Sequence, residues 1–419
     1  MHPKRLPSMK VSCSFSFRRL MPALLVCWSL VAAPTQAQEA SPSPQPQPQA
    51  QPQPQTMIPA PPRLAATSWI LMDAGSGRVI AQHNPDERLP PASLTKLMTA
   101  YLVERELNKG NISPDDLVPV SEKAWRTGGS KMFIEVGDRV PVSELLHGII
   151  IVSGNDASVA MAEYLAGGTE PFADIMNQHA ARLGMENTHF VNPTGLPHDN
   201  HYSSARDLAL LSRHIINDYP KHYSMYRQKH FTYGGIDQPN RNSLLWRDSS
   251  VDGLKTGWTE AAGYCLVSSA KREDMRLISV VMGTDSAEAR VQESQKLLSY
   301  GFRYFETLRL YDKGAVLNTS RVWGGDKNEL KIGVDENVFM TVPRDRNEEL
   351  TAKLDIRQDL TAPIAAGDTV GTMEVRLGDE VVGKRDLLAL EDVEEGGFFK
   401  RLIDKIHRFF SNLVGGLFD

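Results

Sequence analysis

The chain has 419 residues, 41% hydrophobic and 23% charged, and a formal net charge of −5. That length and composition suit a globular protein of two or three domains with sizeable cores. An acidic balance argues against nucleic acid as a partner.

The N-terminus opens with five basic residues: Lys4, Arg5, Lys10, Arg18 and Arg19. The apolar run LMPALLVCWSLVAA follows, then small residues up to Ala37. The pattern predicts a secretory signal peptide over 1–37, too short in its apolar part for a membrane span. Its removal takes the formal charge from −5 to −10. Cys13 and Cys27 would leave with it, so Cys265 would stay alone and no intrachain disulfide could form. Its setting, GYCLVSSA, reads as an apolar strand position rather than a reactive thiol. Residues 38–62 alternate Pro and Gln, which favours extended, solvated chain and predicts a disordered spacer.

From Thr67, SWILMDAGSGRVIAQHN reads as a β-hairpin around DAGSG. Helical patterns follow in SLTKLMTAYLVEREL, in VPVSELLHGIIIVSGNDASVAMAEYLAG with a break near SGN, in FADIMNQHAARLGM and in SARDLALLSRHIIN. GLKTGWT, GYCLVSSA and MRLISVVMG predict three adjacent strands. Strands at both ends with helices between them indicate an α+β fold, an antiparallel sheet flanked by helices, over 63–311. Residues 312–390 alternate short β-like runs with turns and predict a small all-β, sandwich-like domain. Residues 391–419 hold an acidic linker and a tail.

On a helix, the tail residues Phe398, Phe399, Leu402, Ile403, Ile406, Phe409, Phe410, Leu413, Val414 and Leu417 fall within one arc of about 160°. Lys400, Arg401, Lys405 and Arg408 occupy the other side, too many charges for a membrane span. The pattern is that of an interfacial helix.

Three short motifs carry chemistry. Ser93 and Lys96 lie three apart on a predicted helix, so their side chains share a face. A serine hydroxyl needs a base, and lysine serves only if its pKa is lowered. Ser153-Gly154-Asn155 sits at a helix break, where the two polar side chains can pass protons and hold an amide. Lys255-Thr256-Gly257 places a cation and a hydroxyl on a strand, with a glycine that allows close approach. Each alone has a plain alternative, namely a helix surface, a cap or an edge-strand lysine.

Together, in this order, they resemble the serine set of β-lactamases and penicillin-binding proteins, with Gly154 where the usual motif has Asp. PASLTKLMTAYLV, IIVSGNDASVAMAE, NTHFVNPTGL, YSSARDLALL, NSLLW and VDGLKTGWTEAAGYCLVSSA resemble the low-molecular-mass penicillin-binding proteins that are D-alanyl-D-alanine carboxypeptidases. The resemblance runs from about Leu64 to the C-terminus and implies a β-lactamase/transpeptidase-like domain. It implies Ser93 as acylated nucleophile and Lys96 as its base. Ser153 and Asn155 would complete the proton relay and hold the peptide. Lys255 would supply positive charge, Thr256 a hydroxyl for the substrate carboxylate, and the N–H groups of Ser93 and Trp258 an oxyanion hole. Trp258 replaces the His common in relatives. Arg206 and Arg290 match family arginines and would either hold a carboxylate or form structural ion pairs.

Together with the resemblance, the leader and the tail imply an exported enzyme on the periplasmic face of the bacterial inner membrane, held there by its tail. Its substrate would be peptidoglycan pentapeptide and its inhibitors β-lactams, with no cofactor; no oligomeric state is specified. Transpeptidase or endopeptidase action is a narrower alternative. A class A β-lactamase would need a further carboxylate in E-x-x-L-N. Glu104–Asn108 fits that string, but it lies before Ser153 and reads as chance. A catalytically silent wall-binding protein is disfavoured by the intact Ser93, Lys96 and Lys255. His198 and His201 have ligand-like spacing in a polar loop without Cys or H-E-x-x-H, so no metal site is expected.

Overall fold

The structure, a computed structural model, describes the backbone of residues 11–13 and 58–415 and the side chains of residues 58–407. Apart from Val11–Cys13, the predicted leader lies outside the described residues, as does most of the predicted spacer. Val11–Cys13 forms a short strand paired in parallel with Leu350–Ile356.

Two compact units divide the chain, and neither is contiguous. One joins Pro59–Ala315 to Val334–Glu349; the other joins Val316–Gly333, Leu350–Asp419 and the residues before Pro59.

The first unit is built on an antiparallel sheet. Its strands are β1 (Ser68–Asp73), β2 (Val79–His83), β3 (Val251–Thr259), β4 (Gly263–Arg272) and β5 (Met275–Thr284), in the order β2-β1-β5-β4-β3. β1 and β2 are the predicted hairpin, and β3, β4 and β5 the predicted neighbours. Every residue of β1 is buried, because side chains alternate between two covered faces. Ile70, Met72, Ile278 and Val280 join a core with residues of the helices α1 (Lys96–Lys109), α2 (Val142–Ile150) and α5 (Ala205–Asp218). On the other face, Leu71 and Leu277 meet Gly301 of α6 (Ala287–Tyr304); a methyl group on Gly301 would lie 2.6 Å from Leu277. The helical pattern of α6 was not recognised in the sequence. Its start is marked by Ser286, whose hydroxyl accepts from Ala289 N–H at 3.0 Å.

Two further helices lie between the strand groups: α3 (Asn155–Ala166) and α4 (Thr169–Arg182). Ser153, at φ +64°, turns the chain between α2 and α3, at the break expected near SGN.

β6 (Phe305–Tyr311) pairs with β9 (Val338–Pro343), so part of the segment read as the small all-β domain returns to the first unit. Asp73 fixes this pair. Thr307 Oγ1 donates to its carboxylate at 2.7 Å and lies 3.0 Å from Thr341 Oγ1, which meets Ser76 Oγ at 2.6 Å.

The second unit holds β7 (Val316–Arg321), β8 (Glu329–Gly333), β10 (Leu350–Ile356), β11 (Thr369–Leu377) and β12 (Glu380–Ala389), ordered β10-β11-β12-β8-β7 with antiparallel neighbours. The C-terminal helix α7 (Phe398–Gly415) packs on this unit through its polar side. Asp404 is 8% exposed, accepts from Gly324 N–H at 2.9 Å and lies 3.7 Å from Arg321. Lys400 Nζ donates to Asp326 O at 2.9 Å. Phe398, Phe399, Leu402, Ile403 and Ile406 are exposed. No helix among the described residues is long and apolar enough to cross a membrane.

Candidate active site

Ser93 lies in a single 3₁₀ turn, Ala92–Thr95, that leads directly into α1. Ala92 before it has φ +48°, a strained conformation for a residue with a Cβ. Two glycines make room for this turn. A methyl group on Gly195 would lie 1.8 Å from Ala92 O, and one on Gly257 would lie 2.9 Å from Pro91 O. The need for Gly257 is therefore met first by the protein's own backbone: β3 packs against the turn that carries Ser93.

Lys96 opens α1 and is 1% exposed. Its Nζ donates to Ser93 Oγ at 3.1 Å and to Thr194 O at 2.5 Å. Burial pulls its pKa down to about 7; Asp156 opposes the fall and Arg241 adds to it. The lysine thus meets the condition for a base at neutral pH.

Ser153 is 2% exposed, and its Oγ accepts from Lys255 Nζ at 2.9 Å. Lys255 also donates to Thr256 O at 3.1 Å. Burial lowers its pKa well below the usual lysine value, helped by Lys96, Arg241 and Arg290. Asn155, at the start of α3, donates from Nδ2 to Gly128 O at 2.7 Å, while its buried Oδ1 has no protein partner. Ser93, Lys96 and Thr194 are thus joined in one hydrogen-bonded group, and Ser153, Lys255 and Thr256 in a second.

β3 is an edge strand, so its outer backbone groups pair with no other strand among the described residues. Thr256 is 5% exposed and Trp258 is 56% exposed. The Trp258 ring lies against Tyr264, centroids 5.8 Å apart. Arg290 Nη1 donates to Gly257 O at 3.1 Å, its guanidinium lies 5.6 Å from the Tyr264 ring, and its buried Nε has no protein partner. Arg206 sits elsewhere, donating to Asp86 at 2.7 Å and to Gln82 at 3.1 Å. Of its two readings, this geometry is that of the ion pair. A cavity of about 480 Å³ lies beside the turn that carries Ser93, lined by Pro91, Ala92, Gly195, Leu196, His198 and Thr259 among others.

Two residues of the site escaped the sequence reading. Arg241 donates to Val152 O at 3.3 Å and lowers the pKa of both Lys96 and Lys255. Its signal was Asn240-Arg241-Asn242, which runs into the NSLLW stretch. Asp156 is fully buried; its carboxylate accepts from Met132 N at 3.0 Å, Phe133 N at 2.9 Å and Ala157 N at 2.9 Å. It ties the 128–134 loop to α3 beside Asn155, whose own N–H donates to Ser130 O at 2.7 Å.

Other candidates fall outside the cluster. Glu104 of the E-x-x-L-N string is buried and bonded to Tyr226 Oη at 3.2 Å. Cys265 is buried, and burial pushes its thiol up to about 11, as suits a packing residue. His198 is exposed and His201 buried; among the described residues no group of three His, Cys, Asp or Glu could hold a metal ion.

Known proteins resemble this chain along most of its length. The family described as D-alanyl-D-alanine carboxypeptidase matches residues 55–286, and the penicillin-binding protein 5 C-terminal domain matches residues 305–395. The D-alanyl-D-alanine carboxypeptidase DacA of Escherichia coli K12 is 44% identical over 368 residues, 86% of this chain and 91% of the relative. The solved structure of penicillin binding protein 5 from Haemophilus influenzae is 43% identical, with a TM-score of 0.75 over 80% of this chain and 99% of its own. Penicillin-binding protein D2 of Listeria monocytogenes, solved in its ampicillin-bound form, is 32% identical, with a TM-score of 0.53 over 57% of this chain and 98% of its own. A serine beside a buried lysine, on a fold shared along most of the chain, places this protein in the peptidase S11 family of D-alanyl-D-alanine carboxypeptidases, which are serine hydrolases.

Proposed function

We propose that Ser93 is the nucleophile of this carboxypeptidase and Lys96 its general base. The observation that carries this reading is the 3.1 Å contact between Lys96 Nζ and Ser93 Oγ, with burial holding the lysine near neutrality. Neutral Lys96 takes the Ser93 proton as Oγ attacks the carbonyl carbon of the penultimate D-alanine. The oxyanion forms beside the backbone N–H groups of Ser93 and Trp258, which the close approach at Gly257 supports. Ser153, on Lys255, relays a proton to the leaving amine. The C–N bond breaks, D-alanine departs, and water hydrolyses the ester to return Ser93. Asn155 Oδ1, buried without a partner, is suited to accept from a substrate amide N–H.

The electrostatics favour a substrate with a free carboxylate. Besides burial, Arg241 lowers the pKa of Lys96, Lys255 and Arg290, Lys96 and Arg290 also lower that of Lys255, and Asp156 opposes the fall at Lys96. An incoming carboxylate relieves that mutual repulsion. Thr256 and Arg290 flank its place, which supports peptidoglycan pentapeptide as substrate. A β-lactam would acylate the same serine and inhibit, as the ampicillin-bound relative suggests.

An exported site of action, on the periplasmic face of the inner membrane, is supported by the leader pattern and by the outward apolar residues of α7. The enzyme reading is tested by mass spectrometry of the protein with benzylpenicillin. A single adduct mapping to Ser93, lost in Ser93→Ala together with D-alanine release from a pentapeptide, is the expected result. An adduct that persists in Ser93→Ala would refute it.

A further inference from the structure

One buried polar side chain beside the nucleophile turn takes no part in the steps above. His201 is 4% exposed. Its spacing from His198 is ligand-like, but no metal site was expected from the sequence, and the two rings have different surroundings. His198 Nδ1 accepts from Asn200 N–H at 3.1 Å in an exposed loop. His201 Nδ1 accepts from Val191 N–H at 3.0 Å, so that nitrogen carries no proton. The proton is therefore on Nε2, which lies 2.8 Å from Thr95 Oγ1 and donates to it. Burial, with lesser repulsion from His189, His198 and Lys96, holds the His201 pKa down at about 4, so the ring stays neutral at neutral pH.

Thr95 is the last residue of the turn that holds Ser93 and directly precedes Lys96. The segment around residues 190–201 grips this stretch at other points too. Pro193 O accepts from Thr99 Oγ1 at 2.7 Å, and Thr194 O accepts from Lys96 Nζ. Asn192 Oδ1 stiffens the segment by accepting from Thr194 N and Gly195 N at 3.0 and 2.8 Å. Phe190 packs edge-on to the His201 ring, centroids 5.8 Å apart.

We propose that His201 is a positioning residue for the carboxypeptidase reaction: through Nε2–H to Thr95 Oγ1 it holds the turn that carries Ser93 and Lys96, keeping Lys96 Nζ between Ser93 Oγ and Thr194 O. The proposal rests on the roles given to Ser93 and Lys96. His201 touches no reacting atom. Its effect falls on the alignment of nucleophile and base, where a displacement of about 1 Å can cost about 100-fold in rate.

The test measures acylation by benzylpenicillin in stopped flow, separating the non-covalent Kd from the acylation rate constant, on the full chain. His201→Ala should lower the rate constant about 10- to 100-fold and change Kd less than about threefold. His201→Gln, whose Oε1 can accept from Val191 N–H and whose Nε2 can donate to Thr95, should recover most of the rate. Thr95→Val keeps the side-chain shape and removes the hydroxyl; it should match His201→Ala, and the double variant should lose no more than either. Should His201→Ala fail to fold, Thr95→Val carries the test alone. Native rates in either variant, equal losses in His201→Ala and His201→Gln, a loss confined to Kd, or multiplying losses in the double variant would each overturn the proposal. Failure of the underlying reading is seen separately, as an adduct on a residue other than Ser93.

Discussion

Lys96 must lose its charge to act as a base, and that requirement sets a pH dependence. With its pKa lowered to about 7 by burial, the neutral fraction rises with pH and reaches half near pH 7. The second-order rate of acylation by benzylpenicillin should rise about tenfold per pH unit below pH 6 and level off above pH 8. Lys96→Arg, which cannot deprotonate, should lower that rate about 1000-fold while the protein stays folded. A profile flat between pH 5 and 8 would remove Lys96 as the base. At this scale the sequence was most informative where chemistry is local. Ser93 and Lys96 lie three apart where the 3₁₀ turn runs into α1, so spacing alone brought that pair together, whereas Ser153 and Asn155, two apart at the start of α3, meet different partners. Arg241 and His201 reach the site from segments whose path only the fold defines, while Asp156 directly follows Asn155 and looked like ordinary helix-start polarity. Gly257 was legible as a point of close approach, but that Pro91 O is the group that approaches it was not.

Among the elements, α7 joins a polar attachment to an apolar outer face. The apolar arc and the basic side were both plain in the sequence at helical spacing. Asp404 was not singled out, because a lone acid among four cations reads as surface polarity; instead it is buried on Gly324 N–H. A chain ending before Gly396 should stay in solution when mixed with anionic phospholipid vesicles. It should keep its D-alanine release from a soluble pentapeptide within about twofold, as its reacting groups all lie before that point. Co-sedimentation of the shortened chain at the level of the full chain would contradict the membrane role. The strands of both units were largely legible from alternation and turn residues. What alternation could not give was partnership: β9 pairs with β6 in the first unit, where Thr307 links Asp73 to Thr341.

For the whole molecule, stability carries a cost placed far from the surface. Glu104 is fully buried with one oxygen unpartnered, and burial pushes its carboxyl up to about 8. The folded state therefore holds a proton that the unfolded chain releases above its ordinary pKa, so this group's contribution to stability falls as pH rises from about 4.5 towards 8. Glu104→Gln keeps the volume and the acceptor for Tyr226. Its stability relative to the native chain, from urea unfolding, should be more favourable at pH 8 than at pH 5 by about 2 kcal/mol or more. A difference that does not change with pH would show that the carboxyl is not protonated in the fold. The position of Asp404 has a consequence of another kind. A helix joined only through a slack tether can turn freely about its own axis, and whatever it carries keeps that freedom after landing. Here the axis is locked against the β-rich unit by a carboxylate, so landing would select one face of that unit as its underside. Fluorophores placed around the unit should then report fixed, unequal depths above the lipid, and Asp404→Ala should blur them toward a common value while leaving adhesion intact.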